Sequence, residues 1–282
     1  LKSKGIVGFT DGIKSVQSSR LMSRIIKSAY DFDCLVMQHA EDQELSKNGM
    51  INDGIISTKL GLPGISPLAE KIIIERDLTL LEDLNCRYHI NQISSKKSLD
   101  LISLRKEGID FTTGISINNL SLNENDIGDF KTFLKLSPPL RTEEDRTSLI
   151  NGLNKNLIDV IVSDHKPEDE ESKRLTFSQA ATGAAGIETF LSLALELFHN
   201  GSVKLEKIIE VITHNPSKIL NINKGNLSIG NDADFCIVDI NKPWIVKKEN
   251  LMSKSKNTSV EGRKLQGKIT NTFVKGEELF KI

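Results

Sequence analysis

Along most of the chain, short apolar and β-branched runs alternate with segments of helical period. Ile6 to Phe9, Leu35 to Gln38, Tyr88 to Ile93, Phe111 to Ile117 and Val160 to Ser163 predict strands. Gln17 to Tyr30, Pro67 to Leu84, Lys96 to Lys106, Thr142 to Leu153, Gly186 to His199 and Leu205 to Thr213 predict helices. The order is a repeated βα unit. Thr142 with Asp145 makes a capping-box start directly after Pro138-Pro139, which marks one helix boundary. From Gly225 the texture changes: Gly225 to Asp239 and Gly267 to Gly276 read as strands bounded by glycine and Asx turns. A small β appendage after an α/β body is expected, with residues 1–222 forming the body and 223–282 the appendage.

Such a body does not close a barrel that needs eight units, because an open parallel sheet leaves an unpaired edge on each side. The reading is of roughly the last five units of a (β/α)8 TIM barrel, with about three more expected ahead of Leu1 or from a partner. The chain begins without methionine, in what reads as a loop running into a strand, as a piece of something longer would.

The strand tips carry the chemistry. Asp11-Gly12 ends the first run, His39 with Glu41 and Asp42 follows the second, and Asp164-His165 follows the last. The C-terminal strand ends are where such a barrel builds its active site. Each residue alone has a plain structural reading, since a strand-tip His is commonly a packed, hydrogen-bonded group and Asp before Gly commonly forms a turn. Together, on separate strand ends of one barrel, they are harder to assign to accident.

Length and charge narrow the partners. With 282 residues the chain can bury a sizeable core, and a net charge of −1, with lysines interleaved among Asp and Glu, argues against a nucleic-acid surface. Small-molecule or protein partners are expected. Cys34, Cys86 and Cys236 are odd in number, far apart and set in apolar strand-like segments, so reduced core thiols in a cytoplasmic protein are expected. No run approaches the ~20 apolar residues of a membrane span.

A metal-dependent amide hydrolase needs a cation that brings the pKa of water near ~7 and a carboxylate that moves the proton. Asp11, His39 and Asp164 are the right residue types. The resemblance then becomes specific, through Phe9-Thr-Asp11-Gly12, Gln38-His39-Ala-Glu41-Asp42, Leu60-Gly-Leu-Pro63-Gly64-Ile65, Tyr88-His89-Ile-Asn-Gln92-Ile-Ser94, Ser137-Pro-Pro-Leu-Arg141, Asp145-Arg146, Ser163-Asp164-His165-Lys-Pro167, Gly183-Ala-Ala-Gly186-Ile-Glu188-Thr189, Asn215-Pro216 and Ser253-Lys-Ser-Lys-Asn257-Thr258. In order and spacing this series resembles the bacterial dihydroorotase branch of the amidohydrolase superfamily, over nearly all of the chain.

The resemblance implies a (β/α)8 barrel with a β-sandwich built from both chain ends, one or two zinc ions, and interconversion of carbamoyl-aspartate and dihydroorotate in pyrimidine synthesis. It implies Asp11 as the metal-bridging aspartate, His39 as a metal ligand, and Asp164 as a ligand that also acts as general acid and base. It implies substrate contacts at Ser137, Glu168, Thr182 and Gly183. Dihydropyrimidinases and hydantoinases are poorer matches, because they use a carbamylated lysine where Asp11 stands.

Several positions depart from the family pattern. Where the next strand should end in a histidine ligand the chain has Gln92, a far weaker zinc donor. Strand alternation puts His89 and Gln92 on opposite faces, which favours a packing role for His89. Asn118-Asn119 replace a histidine pair, and Ser137 replaces an asparagine. Glu168 puts an anion where a substrate-binding histidine is expected and would repel a carboxylate substrate. The paired histidines and arginine that open the family's site would lie ahead of Leu1.

The expectation is a catalytically impaired homologue with weak or absent zinc, acting as a scaffold for aspartate transcarbamoylase or assembling with further copies of itself. The alternative is an active zinc dihydroorotase. Elsewhere plain roles are expected: His165 orienting a neighbour, His199 at the surface near a helix end, His214 marking a helix boundary, and Lys247 to Lys256 as a solvated face.

Overall fold

The computed structural model describes residues 4–84 and 86–282. In chain order its strands are β1 (Gly8–Phe9), β2 (Leu35–Gln38), β3 (Ile51–Asn52), β4 (Gly64–Ile65), β5 (Tyr88–Ile93), β6 (Thr112–Ser116), β7 (Val160–Val162), β8 (Phe235–Ile245), β9 (Lys264–Val274) and β10 (Glu277–Lys281). The helices are α1 (Ser19–Asp31), α2 (Ile55–Leu60), α3 (Pro67–Leu81), α4 (Lys96–Arg105), α5 (Ile117–Ser121), α6 (Glu143–Asn154), α7 (Glu170–Arg174), α8 (Phe190–His199), α9 (Leu205–Ile209) and α10 (Asn215–Leu220).

The five predicted βα strands form one parallel sheet in the order β1-β2-β5-β6-β7. Helix α1 packs on α3, α3 on α4 and α4 on α6, a continuous outer layer. It buries Met22 and Ile26, Ile73, Ile74 and Leu78, Ile102, and Leu149 and Leu153. A polar residue caps each start: Ser18, Ser66 ahead of Pro67, Ser95 and Thr142 all accept from a main-chain N–H of the first turn. The Thr142–Asp145 capping box forms as its spacing predicts. Partial-barrel architecture is thus present, with β1 at one edge of the described sheet. Next to it a largely apolar cavity of 780 Å³ is lined by Phe9, Val16, Leu21, Met22, Ile25 and Phe32 among others.

Among the boundaries that differ from expectation, three in the α/β body have local reasons. The run through Ile117 stops at Ser116, whose hydroxyl accepts from the Asn118 N–H and so starts α5. The helix expected from Gly186 begins only at Phe190, because Ala184 and Ala185 pair as extended chain with His165 and Thr258. His214 is not a helix end: a π-helical turn over Glu210–His214 joins α9 to α10, placed just ahead of Pro216, whose ring and missing N–H interrupt the α-helical bonding at that point.

Strands β8, β9 and β10 form the expected β appendage, an antiparallel sheet in the order β10-β9-β8, although the run read from Gly225 becomes strand only at Phe235. Helix α8 lies against β9, fixed by Ser192 Oγ donating to the Gly267 carbonyl at 2.6 Å and by Trp244 Nε1 donating to Ser192 Oγ at 3.1 Å. Gly267 has φ +97°, and a Cβ there would come within 2.3 Å of Leu195 Cδ1. Residues 251–263, past the expected division at 222, return to the barrel: Ser259 Oγ donates to Asn118 Oδ1 and Arg263 ion-pairs with Glu196 of α8. The thiols are free, but only Cys86 is in the core; Cys34 is half-buried and Cys236 is exposed on β8, where exposed positions recur along the strand. Among the described residues no helix is long and apolar enough to cross a membrane.

Candidate functional site

At the C-terminal end of the parallel sheet lies a cavity of 460 Å³ lined by His39, His89, Gln92, Ser137, Asp164 and His165, with Lys166, Met37, Val160, Val162 and the α10 residues Pro216, Ile219 and Leu220 among the remainder. His39, Gln92 and Asp164-His165 come from the C-terminal ends of β2, β5 and β7, His89 from the start of β5 and Ser137 from the loop before α6. Asp164 follows β7 at φ +49°, a left-handed conformation that Asp tolerates better than most residues. Strain of this kind concentrates where a side chain must be aimed.

His39 is 5% exposed. Its Nε2 lies 3.5 Å from Ser137 Oγ and 3.6 Å from Glu41 Oε2. Its carbonyl accepts from Ser15 Oγ, and Ser15 Oγ in turn accepts from the Glu41 N–H at 2.7 Å, which pins the loop after β2. Burial by itself would raise the Glu41 carboxyl, but hydrogen bonds from His39 and Ser46 and the charges of His39 and Arg141 bring it below the ordinary carboxylate value.

Gln92 donates through Nε2 to Asp164 Oδ1 at 3.1 Å, and Ser116 Oγ donates to Asp164 Oδ2 at 3.1 Å. Both carboxylate oxygens therefore have neutral protein donors. His89 and Gln92 line the same cavity instead of opposite faces. The cause is a bulge: between the paired positions β5 has two residues, Asn91 and Gln92, where β6 has one, Gly114, so alternation fails at that point. His89 is buried, its Nδ1 is 2.8 Å from Thr112 Oγ1, and burial, aided by the Lys106 charge, pushes it down to about 4. It is a neutral packed histidine.

The remaining expected site residues lie elsewhere. Asp11 is solvent-exposed in the loop after β1 and borders the neighbouring apolar cavity, although Gly12 and Ile13 reach this one. Glu168 is held by its main chain, its N–H donating to Asn257 Oδ1 at 3.3 Å and its carbonyl accepting from Ser255 Oγ. Gly183 is buried behind Lys166, and Thr182 is half-buried beside it. Asn118 and Asn119 are buried, pairing with Ser259 and with the Pro139 carbonyl.

His165 Nδ1 accepts from the N–H groups of Gly186 and Ile187 at 3.2 and 3.3 Å, an orienting role. His199 Nε2 instead bridges α8 to the Ile240 carbonyl of β8 at 3.0 Å.

Zinc requires converging anionic or imidazole donors. Among the described residues no three His, Cys, Asp or Glu side chains converge as such a group. His39 and Asp164 share the cavity, Asp11 does not join them, and Gln92 uses its amide as a donor to Asp164. The described residues by themselves do not fit the ion, and no chemical step is derived through it.

A buried network behind the site escapes sequence patterning. Arg141 of the Pro-Pro-Leu-Arg run donates to Ser94 Oγ at 3.1 Å, Asn52 Oδ1 at 2.9 Å and the Ile65 carbonyl. Glu70 accepts from the main chain and hydroxyls of Ser94 and Ser95, and Asn52 donates to Glu124 at 2.6 Å. The only hint in the sequence was Arg141 itself, since the β3 and β4 segments it joins are two residues each.

The amidohydrolase family pattern matches residues 3–279, and the chain belongs to the amidohydrolase family. It is 39% identical over 282 residues to a dihydroorotase of Ehrlichia canis and 39% identical over 283 residues to one of Anaplasma phagocytophilum, covering 99% and 100% of this chain. The resemblance to dihydroorotases expected from the motif series is therefore borne out. The chain spans 63% of the length of each of those two relatives. In three dimensions it superposes on an L-hydantoinase (dihydropyrimidinase) from Arthrobacter aurescens with a TM-score of 0.87 at 25% identity, covering 99% of this chain and 66% of that one. A dihydropyrimidinase from Brevibacillus agri follows at 0.84 and 20% identity, with 99% and 64% covered, a likeness of fold alone.

Proposed function

We propose that this chain belongs to a dihydroorotase-like protein of pyrimidine biosynthesis whose catalytic site has degenerated and which serves as an assembly scaffold, with aspartate transcarbamoylase as the partner. One observation carries the reading: Gln92 stands where the resemblance implies a ligand, and its amide N–H is committed to Asp164 at 3.1 Å. A carboxylate satisfied by Gln92 and Ser116 is compensated without a cation. The retained Pro-Pro-Leu-Arg network and strand order support a fold kept for its surface.

The test uses the full-length gene product. Zinc measured by mass spectrometry should be substoichiometric, carbamoyl-aspartate should not cyclise, and the protein should co-elute with aspartate transcarbamoylase at the size of a complex. Stoichiometric zinc with turnover overturns the proposal.

Active dihydroorotase is the second reading, favoured by His39, Ser137 and Asp164 sharing one cavity. In it Asp164 moves the proton, and Asp164→Asn abolishes turnover while leaving the fold intact. In the scaffold reading the same substitution leaves co-elution unchanged.

A further inference from the structure

Residues 176–183 turn their main-chain carbonyls inward onto two lysines. Lys135, 8% exposed, donates through Nζ to the carbonyls of Phe177 at 2.9 Å, Ser178 at 3.0 Å and Ala180 at 2.8 Å. Lys173 on α7, 2% exposed, donates to the carbonyls of Ala181 at 2.8 Å and Gly183 at 2.9 Å. Among the described residues neither ammonium has a carboxylate within ion-pair distance. A buried charge is costly unless its hydrogen bonds are made, and a loop at the surface would give these carbonyls to water. At Lys135 three N–H bonds meet three acceptors, so the ammonium and the loop each satisfy what the other leaves open.

The same segment leads directly to the site. The Gly183 N–H donates back to the Lys135 carbonyl at 2.9 Å, and the Lys166 N–H donates to the Ala184 carbonyl at 2.8 Å. Ala184 pairs with His165 as extended chain, and Gly186 and Ile187 donate to His165 Nδ1. Gly183 sits at φ +140° with its α-carbon so close that a Cβ would lie 2.6 Å from the Lys166 carbonyl oxygen. His165 and Lys166 line the site cavity, as does Ser137, two residues beyond Lys135.

We propose that Lys135 and Lys173 are positioning residues, which hold the 176–183 segment so that 183–187 stays docked along the His165-Lys166 side of the site cavity. The proposal goes beyond the reading given above and stands whether or not the protein turns over a substrate. Desolvation agrees with it. Burial pushes Lys173 down to about 8, with Glu168 opposing and the charges of Lys135 and Lys166 adding to the shift. Burial lowers Lys135 as well.

Lys135→Met and Lys173→Met keep an unbranched side chain close to the aliphatic stem of lysine and remove its donors. In the full-length protein each variant should raise amide exchange across 176–184 by about tenfold or more, since two or three charge-assisted bonds are lost. The histidine side-chain ¹⁵N spectrum supplies the decisive signature. The His165 Nδ1 resonance should move as its two N–H donors leave, while His89 and His199 stay in place. A pair of lysines with a purely structural role would lower the melting temperature and leave His165 unchanged, and that result, or unchanged exchange over 176–184, overturns the proposal. If both variants fail to fold, acetylation of the unaltered protein with acetic anhydride decides. Lys135 and Lys173 should react the slowest, and reaction as fast as the exposed Lys131 and Lys254 overturns the clamp.

Discussion

Behind the strand tips, Arg141 is 3% exposed and reaches two side chains and a main-chain carbonyl, with Glu70 and Glu124 satisfied around it. At the tips, Asp164 is only half-buried and holds Gln92 and Ser116 at 3.1 Å, while His39 meets Ser137 at 3.5 Å. The first cluster is buried and joined by many short bonds; the second has fewer and longer bonds around a half-buried carboxylate. A buried charge cannot lose a partner cheaply, whereas a half-exposed one can exchange it for water. The contrast teaches that in this chain the most completely enclosed polar groups lie behind the strand tips and not at them.

The sharpest way to break this comparison is Arg141→Met. Removal of one charge from a buried, hydrogen-bonded network should cost about 3–5 kcal/mol in urea unfolding. A cost below about 1 kcal/mol would mean the network is decorative.

His89 gives the next largest effect, through pH. Its folded value, near 4, lies below the ordinary 6.5, because burial disfavours the charged ring. Between those values the unfolded chain takes up a proton that the folded chain refuses. Stability is therefore fully present above about pH 6.5 and falls as pH drops toward 4, by about 3 kcal/mol for this one group. His89→Phe should flatten that part of the profile; an unaltered slope would count against a neutral, packed His89.

Tyr88→Phe comes third. Tyr88 donates to the fully buried Asp77 at 2.6 Å, and its loss leaves that carboxylate one bond short, at about 1–3 kcal/mol by thermal or urea denaturation. Smallest is Gln92→Ala, expected to cost under about 1 kcal/mol because water can replace a half-exposed amide. If Gln92→Ala destabilised as much as Arg141→Met, the division between a rigid interior and a relaxed site would collapse.

Much of the architecture was legible because apolar period and capping are local. Ser95, Thr142 with Asp145, and Pro67 start their helices from residues within the same turn, and the five parallel strands follow from runs of apolar residues. The π-helical turn before Pro216 and the bulge in β5 were not legible, since each depends on what packs or pairs alongside. The bulge matters most for the site, because one extra residue turned His89 and Gln92 toward the same cavity.

The sequence by itself determined the family, the order of βα units, the presence of a β appendage and the candidates Asp11, His39, Gln92 and Asp164, because short-range patterns and motif order survive without coordinates. Only the tertiary structure decided that Gln92 donates to Asp164, that Asp11 is exposed beside the neighbouring cavity, and that Lys135 and Lys173 donate to the carbonyls of the loop at 176–183. Those outcomes rest on contacts between residues brought together by strand register and packing, and a lysine reads as a surface charge until a neighbouring segment encloses it.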